Sequence, residues 1–220
     1  MSLLITLEGL DGTGKSSLIK ALPSDSFNGQ WVYKVKEPGI TVNSDSYMPF
    51  NRPGIDLRSI VLNDRTLTPF ERELLFYVDA SQNRRFIENQ RSALVFSDRG
   101  YWSHLAYLRA TLKIGKIDND QYVLGKDLIN LFCAKPDRVI YLRGSIELMQ
   151  ERLKDKPKDA IESNKVEFFK YVLETYEDLA FENNECLILD AKDTIVQNTE
   201  KVLSYLEEAF NNEDFRRKAE

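Results

Sequence analysis

The stretch that most restricts what this chain can fold into is EGLDGTGKSS, residues 8–17, which follows the small apolar run LLIT. Its spacing, Gly9-x-x-x-x-Gly14-Lys15-Ser16, is that of a phosphate-binding loop. Gly9, Gly12 and Gly14 would free backbone N–H groups to curl around phosphates, with Lys15 supplying charge. The hydroxyl of Ser16, with Ser17 behind it, would face the phosphates and a Mg²⁺ ion. The plain alternative is a glycine-rich turn with an incidental lysine. Context favours the loop, because it joins a strand-like run (Leu3 to Glu8) to a helix-like one (Ser16 to Leu22). A nucleoside triphosphate site is therefore expected.

The rest of the chain suits that reading. Its 220 residues are enough for one α/β domain with a self-sufficient core. A hydrophobic content of 42% and a charged content of 30% are those of a soluble globular protein. The net charge of −5 argues against a broad nucleic-acid or membrane surface, so an anionic substrate needs locally clustered Lys and Arg. Cys133 in NLFCA and Cys186 in ECLIL lie in apolar runs and read as buried, reduced core thiols. Glu8 comes too early for a signal peptide and no apolar stretch could span a membrane, which gives a cytoplasmic expectation.

Strand-like runs recur as LLITLEG, WVYKV at 31–35, ALVFSD at 93–98, RVIYL at 138–142 and CLILD at 186–190, with helix-length stretches between them. That alternation predicts a parallel sheet covered by helices on both faces. Val166, Phe169, Leu173, Tyr176 and Ala180 fall at helical spacing, and the tail at about 211–220 is polar. No linker or repeat divides the chain, so a single domain over 1–220 is expected.

Parallel sheets of this kind bind ligands beyond the carboxyl ends of their strands. The phosphate loop follows the first strand, Lys36-Glu37-Pro38-Gly39 the second, and Asp98-Arg99 the third. Asp98 could hold Mg²⁺ and Arg99 could brace a phosphoryl group, or the two could be a surface ion pair. The following YWSHLAYLRATL reads as a helix with Ser103, His104 and Tyr107 on one face and Leu105, Leu108 and Leu112 on another. Tyr107 could line a pocket or simply pack, and His104, the only histidine, has no evident partner for acid–base work.

Taken in order, GLDGTGKSS, EPG, LLFYVDA, DRGYWSHLAY and a basic stretch before VEFFKYVLETYEDLA resemble the thymidylate kinase family from Leu4 to about Leu206. The resemblance implies a P-loop kinase with a five-stranded parallel sheet and a short basic lid. It also implies a homodimer that transfers the γ-phosphoryl of ATP to dTMP with Mg²⁺. Carried over by position, it gives Lys15 and Ser16 to the ATP phosphates and metal, and Asp98 to the metal side. Asp11 matches an acid near the acceptor's 3′-hydroxyl, and Arg99 the arginine that grips the acceptor phosphate. Phe76 matches an aromatic that stacks on thymine, and Tyr107 a tyrosine against the deoxyribose. Glu37, Pro38, Arg58, Ser103 and His104 complete the implied acceptor site.

Several positions depart from the family pattern. Where the pattern has a base-reading arginine this chain has Ala80, and Arg84 or Gln82 are the residues that could reach in its place. Asp98-Arg99 is followed by Gly100, the lid motif becomes Asp159-Ala160-Ile161-Glu162, and Lys36 replaces an arginine. The phosphate loop has Gly12 where some members carry a catalytic arginine, so charge must come from elsewhere. The segment 152–162 carries Arg152, Lys154, Lys156 and Lys158, and reads either as a solvated loop or as a lid closing over ATP, with Arg152 on its phosphates. Three other functions stay open: a deoxynucleoside-monophosphate kinase of broader specificity, a deoxynucleoside kinase using Glu37 as general base, and a nucleotide-dependent switch.

Overall fold

The structure is a computed structural model that describes residues 2–38, 52–90, 92–155, 161 and 165–211, with residues 52–56 described in backbone only. Among the described residues six strands form one sheet in the order β2-β3-β4-β1-β5-β6. They are β1 (Leu3–Glu8), β2 (Ser26–Phe27), β3 (Gln30–Lys36), β4 (Ala93–Asp98), β5 (Arg138–Arg143) and β6 (Cys186–Asp190). All five expected strands are present and run parallel to one another. The sixth corrects the expected count: two-residue β2 runs antiparallel to β3 at the sheet edge. Asn28-Gly29 makes that turn with both residues at positive φ (47° and 77°), the backbone a two-residue hairpin requires.

Among the described residues there are eight helices: α1 (Lys15–Ala21), α2 (Arg52–Asn63), α3 (Pro69–Asn89), α4 (Tyr101–Lys113), α5 (Asn119–Phe132), α6 (Ile146–Leu153), α7 (Val166–Glu182) and α8 (Ile195–Asn211). The longest, α3, starts with a full capping box in which Thr68 and Glu71 satisfy each other's backbone N–H groups. Strand alternation sorts the core into layers. Leu3, Ile5 and Leu7 of β1 pack with Ile140, Leu142, Leu18, Val202 and Leu206, between the sheet and α1 and α8. Leu4 points the other way, against Phe86 and Ile87 of α3. Glu8 shares that second face by the same period of two, and there Tyr141 packs with Trp102 and Ala106 of α4 and Phe169, Val172 and Tyr176 of α7.

The helical stripe read in α7 holds at Phe169, Tyr176 and Ala180, but Val166, at the first position of the helix, is 42% exposed. Cys133 is buried as expected, whereas Cys186 is only half-buried on the edge strand β6. Among the described residues no helix is long and apolar enough to cross a membrane. Gly39, Lys156, Lys158, Asp159, Ala160, Glu162 and the tail from 212 lie outside the described residues.

Candidate active site

Register brings the chemistry together. Leu7 of β1 and Lys36 of β3 both sit opposite Asp98 at the end of the central strand β4. The segments that follow these three strands therefore open on one cleft of about 700 Å³. The phosphate loop forms its floor. Gly9 has φ 136°, and a Cβ there would lie 2.5 Å from the Leu142 carbonyl oxygen, so this position admits no side chain. Gly14 opens α1 in a left-handed conformation with no side-chain cap, leaving the first amides of the helix free. Lys15 is buried and donates from Nζ to the carbonyls of Gly9 and Leu10 at 2.9 and 2.7 Å. Burial, with Arg99 adding to it, pushes its ammonium down to about 8 against the opposing carboxylates of Asp11, Asp98 and Glu8.

Asp98 and Arg99 are not each other's partners, which removes the surface-pair reading. Asp98 lies on the α1 side of β4 and accepts from Ser16 Oγ at 2.5 Å. Arg99 has φ 78°, and this left-handed backbone sends its side chain across the loop. Its Nη2 donates to Asp11 Oδ1 at 2.6 Å, and its Nη1 reaches Gly9 O, Ser103 Oγ and Tyr176 Oη at 3.2–3.3 Å. The guanidinium also stands 5.3 Å from the Tyr107 ring centroid, and Tyr107 Oη donates to Asp11 Oδ2 at 3.2 Å. Burial alone would raise the Asp11 carboxyl, but Arg99 and Lys15 hold it down at about 2.

Behind this cluster lies a carboxyl that sequence reading missed. Glu8, fully buried, accepts from Ser103 Oγ at 2.5 Å, and Ser103 in turn meets Tyr176 Oη at 2.8 Å. Its other oxygen has no hydrogen-bond partner among the described residues. Burial pushes Glu8 up to about 7, with Ser103 and Arg99 pulling the other way. The available signal was the strand period: Glu8 had to face the same side of the sheet as α4 and α7, where Ser103 is its partner and Tyr176 is bonded to Ser103.

The end of the cleft between β3, α3 and α4 is lined by Lys36, Glu37, Pro38, Arg58, Leu62, Glu73, Phe76, Ser103, His104 and Tyr107. His104 Nε2 lies 2.9 Å from Glu37 Oε2, and Asn83 also approaches Glu37, at 3.4 Å. Burial opposes the His104 proton, but Cys133 and Glu37 hold its imidazole well above the usual range. The rings of Phe76 and Tyr77 meet His104 edge-on at 6.3 and 5.8 Å. Arg58 Nη1 donates to the Pro38 carbonyl at 2.6 Å. Ala80 does not face the cleft: it is buried with Tyr77, Leu108, Ile129 and Cys133 between α3, α4 and α5. Arg84 points away as well, donating to Glu88 and the Leu131 carbonyl, and neither it nor Gln82 lines the cleft.

The opposite end, beside α1, is walled by Ser16, Ser17, Arg152 and the residues after β6. Arg152, in the last turn of α6, bridges the Gly12 and Ala191 carbonyls at 2.9 Å each. Ala191 to Ile195 complete this wall. They were legible under the same rule that singled out the ends of the first three strands, since they follow the strand CLILD. Among the described residues of the segment 152–162, Arg152 and Ile161 line the cleft.

A P-loop on a parallel sheet, with an arginine from the end of the central strand reaching to an acid inside the loop, defines a phosphoryl-transferring P-loop kinase. The chain belongs to the thymidylate kinase family, whose sequence model matches residues 7–202. It is 29% identical to the thymidylate kinase of Sulfurovum sp. over 208 residues, covering 92% of this chain and 98% of that one. It is 30% identical to the enzyme of Campylobacter lari over 171 residues, covering 75% and 76%. Its fold matches a deoxyadenosine kinase of M. mycoides with a TM-score of 0.68 at 18% identity, covering 94% of this chain and all of that one. It also matches the thymidylate kinase of Candida albicans with a TM-score of 0.64 at 22% identity, covering 94% and 91%.

Proposed function

We propose that this protein transfers the γ-phosphoryl group of ATP to dTMP to give dTDP. The observation that carries the reading is the position of Arg99, which stands between the phosphate loop and Tyr107 with its guanidinium on Asp11. A cation there faces the donor phosphates on one side and the acceptor phosphate on the other. Phosphoryl transfer asks the protein mainly for positioning and charge neutralisation, and no nucleophilic side chain is required. In this reading Lys15 and Arg152 hold ATP phosphates, Asp11 orients Arg99 and the acceptor sugar, Phe76 stacks on the base and Tyr107 packs on the deoxyribose.

Ser16 Oγ and Asp98 Oδ2, 2.5 Å apart, would hold Mg²⁺, directly or through water. Among the described residues no cluster of three or more His, Cys, Asp or Glu could bind a metal alone. A sparse set of hard oxygens suits Mg²⁺, which keeps waters and takes nucleotide phosphates as ligands. When bound, the ion would neutralise charge on the transferring phosphates. The homodimer expectation is supported by Leu74 and Val78 on α3 and Val123, Leu124 and Leu131 on α5, all exposed. Sedimentation would test it.

A nucleoside kinase would need Glu37 free to take a proton from a hydroxyl. Its carboxylate is instead engaged by His104 and Asn83, which argues against that chemistry. The test is ADP release from ATP–Mg²⁺ with dTMP, dUMP, dGMP, dCMP, thymidine or no acceptor. ADP formation that depends on dTMP is expected. Equal release without acceptor would turn the reading to a nucleotide switch, and release with thymidine alone to a nucleoside kinase.

A further inference from the structure

Most polar side chains at the acceptor end of the cleft are already engaged. Arg99 is held by Asp11, Arg58 by the Pro38 carbonyl and Ser103 by Glu8. Glu37 and Cys133 between them take up the hydrogen-bonding capacity of the His104 ring. Glu73 is different. It lines the cleft while only 7% exposed, three residues before Phe76 and so one turn away on the same side of α3. Its polar neighbours are Tyr77 and His104, with Arg72 further off. The Tyr77 hydroxyl can serve at most one of the two carboxyl oxygens, and among the described residues no Lys or Arg is ion-paired with Glu73. Burial pushes this carboxyl up to about 7. A carboxyl kept in a nearly dry wall with spare hydrogen-bonding capacity is costly unless a ligand completes it.

We propose that Glu73 is a specificity-determining residue that accepts a hydrogen bond from the base of the acceptor nucleotide, extending the range from dTMP to a pyrimidine with an exocyclic amino group, dCMP. This deepens the dTMP-kinase reading and rests on it. A base stacked beside Phe76 brings its edge to the level of Glu73. An ionised carboxylate only accepts, so it favours an amino N–H at that edge and repels a carbonyl oxygen. The protonated acid can donate to the carbonyl and relieves the repulsion. The preference for dCMP over dTMP should therefore rise with pH across the range where Glu73 ionises. The acceptor phosphate titrates alike in both nucleotides and cancels from the ratio.

The experiment measures kcat/KM and equilibrium Kd for dCMP and dTMP between pH 6 and 8, in wild type, Glu73→Gln and Glu73→Leu. Wild type should use dCMP within about tenfold of dTMP. Its dCMP:dTMP ratio should climb several-fold from pH 6 to pH 8. Glu73→Leu should lower that ratio roughly ten- to a hundred-fold, mainly through KM and Kd, as loss of a charge-assisted hydrogen bond implies. Glu73→Gln cannot ionise and should show a ratio flat in pH. If the Leu protein does not fold, the Gln protein decides alone: a pH slope equal to wild type overturns the proposal. So does a wild type that phosphorylates dTMP but not dCMP. Should wild type phosphorylate neither, it is the kinase reading itself that fails.

Discussion

Arg99 Nη2 and Asp11 Oδ1 meet at 2.6 Å across 88 positions of sequence, which ties the end of β4 to the interior of the phosphate loop. The arginine is 16% exposed and the acid 32%, so the pair is shielded but reachable by a ligand phosphate. Asp11 also accepts from Tyr107, so one carboxylate sets both the cation and the aromatic that flank the cleft. Ligand charge can then meet an arginine whose direction is fixed beforehand.

Arg99→Ala should raise the acceptor KM and lower kcat, each by about tenfold or more, because the same guanidinium positions the acceptor and steadies the transferring group. Steady-state kinetics with varied dTMP checks this. An unchanged KM and kcat would reduce Arg99 to a structural ion-pair partner.

Lys15→Ala should cut turnover by at least about a hundred-fold while the melting transition stays cooperative, since the lysine neutralises charge on the phosphates and makes two loop-closing hydrogen bonds. Activity within about threefold of wild type would remove the phosphate loop from the mechanism.

Ala80→Arg tests the most conspicuous departure from the family pattern. Ala80 is 1% exposed in an apolar cluster, so the substitution buries a cation beside Tyr77, Leu108 and Cys133. The expected result is a loss of stability of about 2 kcal/mol or more, seen in denaturant unfolding, rather than sharper base choice. A fully stable variant with increased dTMP preference would show that α3 can turn this position into the cleft.

Glu8 gives the stability a pH dependence whose sign is fixed by its shift from 4.5 to about 7. The folded chain keeps the proton that the unfolded chain releases, so this stabilisation is complete below about 4.5 and is lost as pH rises through 7. Glu8→Gln mimics the neutral acid and should become more stable relative to wild type across that window, by on the order of 3 kcal/mol in total. Parallel melting-temperature curves for the two proteins from pH 4.5 to 8 would refute it.

The sequence by itself determined the strands, the phosphate loop and the segments in which chemistry would lie. These are local properties: apolar runs without alternation, glycine spacing and the residues that follow each strand. Lys15, Ser16, Asp98, Arg99, Ser103, His104 and Tyr107 were named without coordinates, and all line one cleft. The hairpin edge at Asn28-Gly29 was readable too, but two residues of strand give no period to detect. What only the tertiary structure decided was which groups spend their hydrogen bonds on each other. Glu8 faces Ser103 and Tyr176 because strand alternation and the packing of α4 on α7 place them together. Glu37 is consumed by His104, Arg84 is drawn to Glu88 and Leu131, and Ala80 turns into the α3–α5 contact. Glu73 remains open to the cleft. Such outcomes depend on distances between elements far apart in the chain, where angstroms decide whether a carboxyl is paired or available, and spacing along the chain does not encode them.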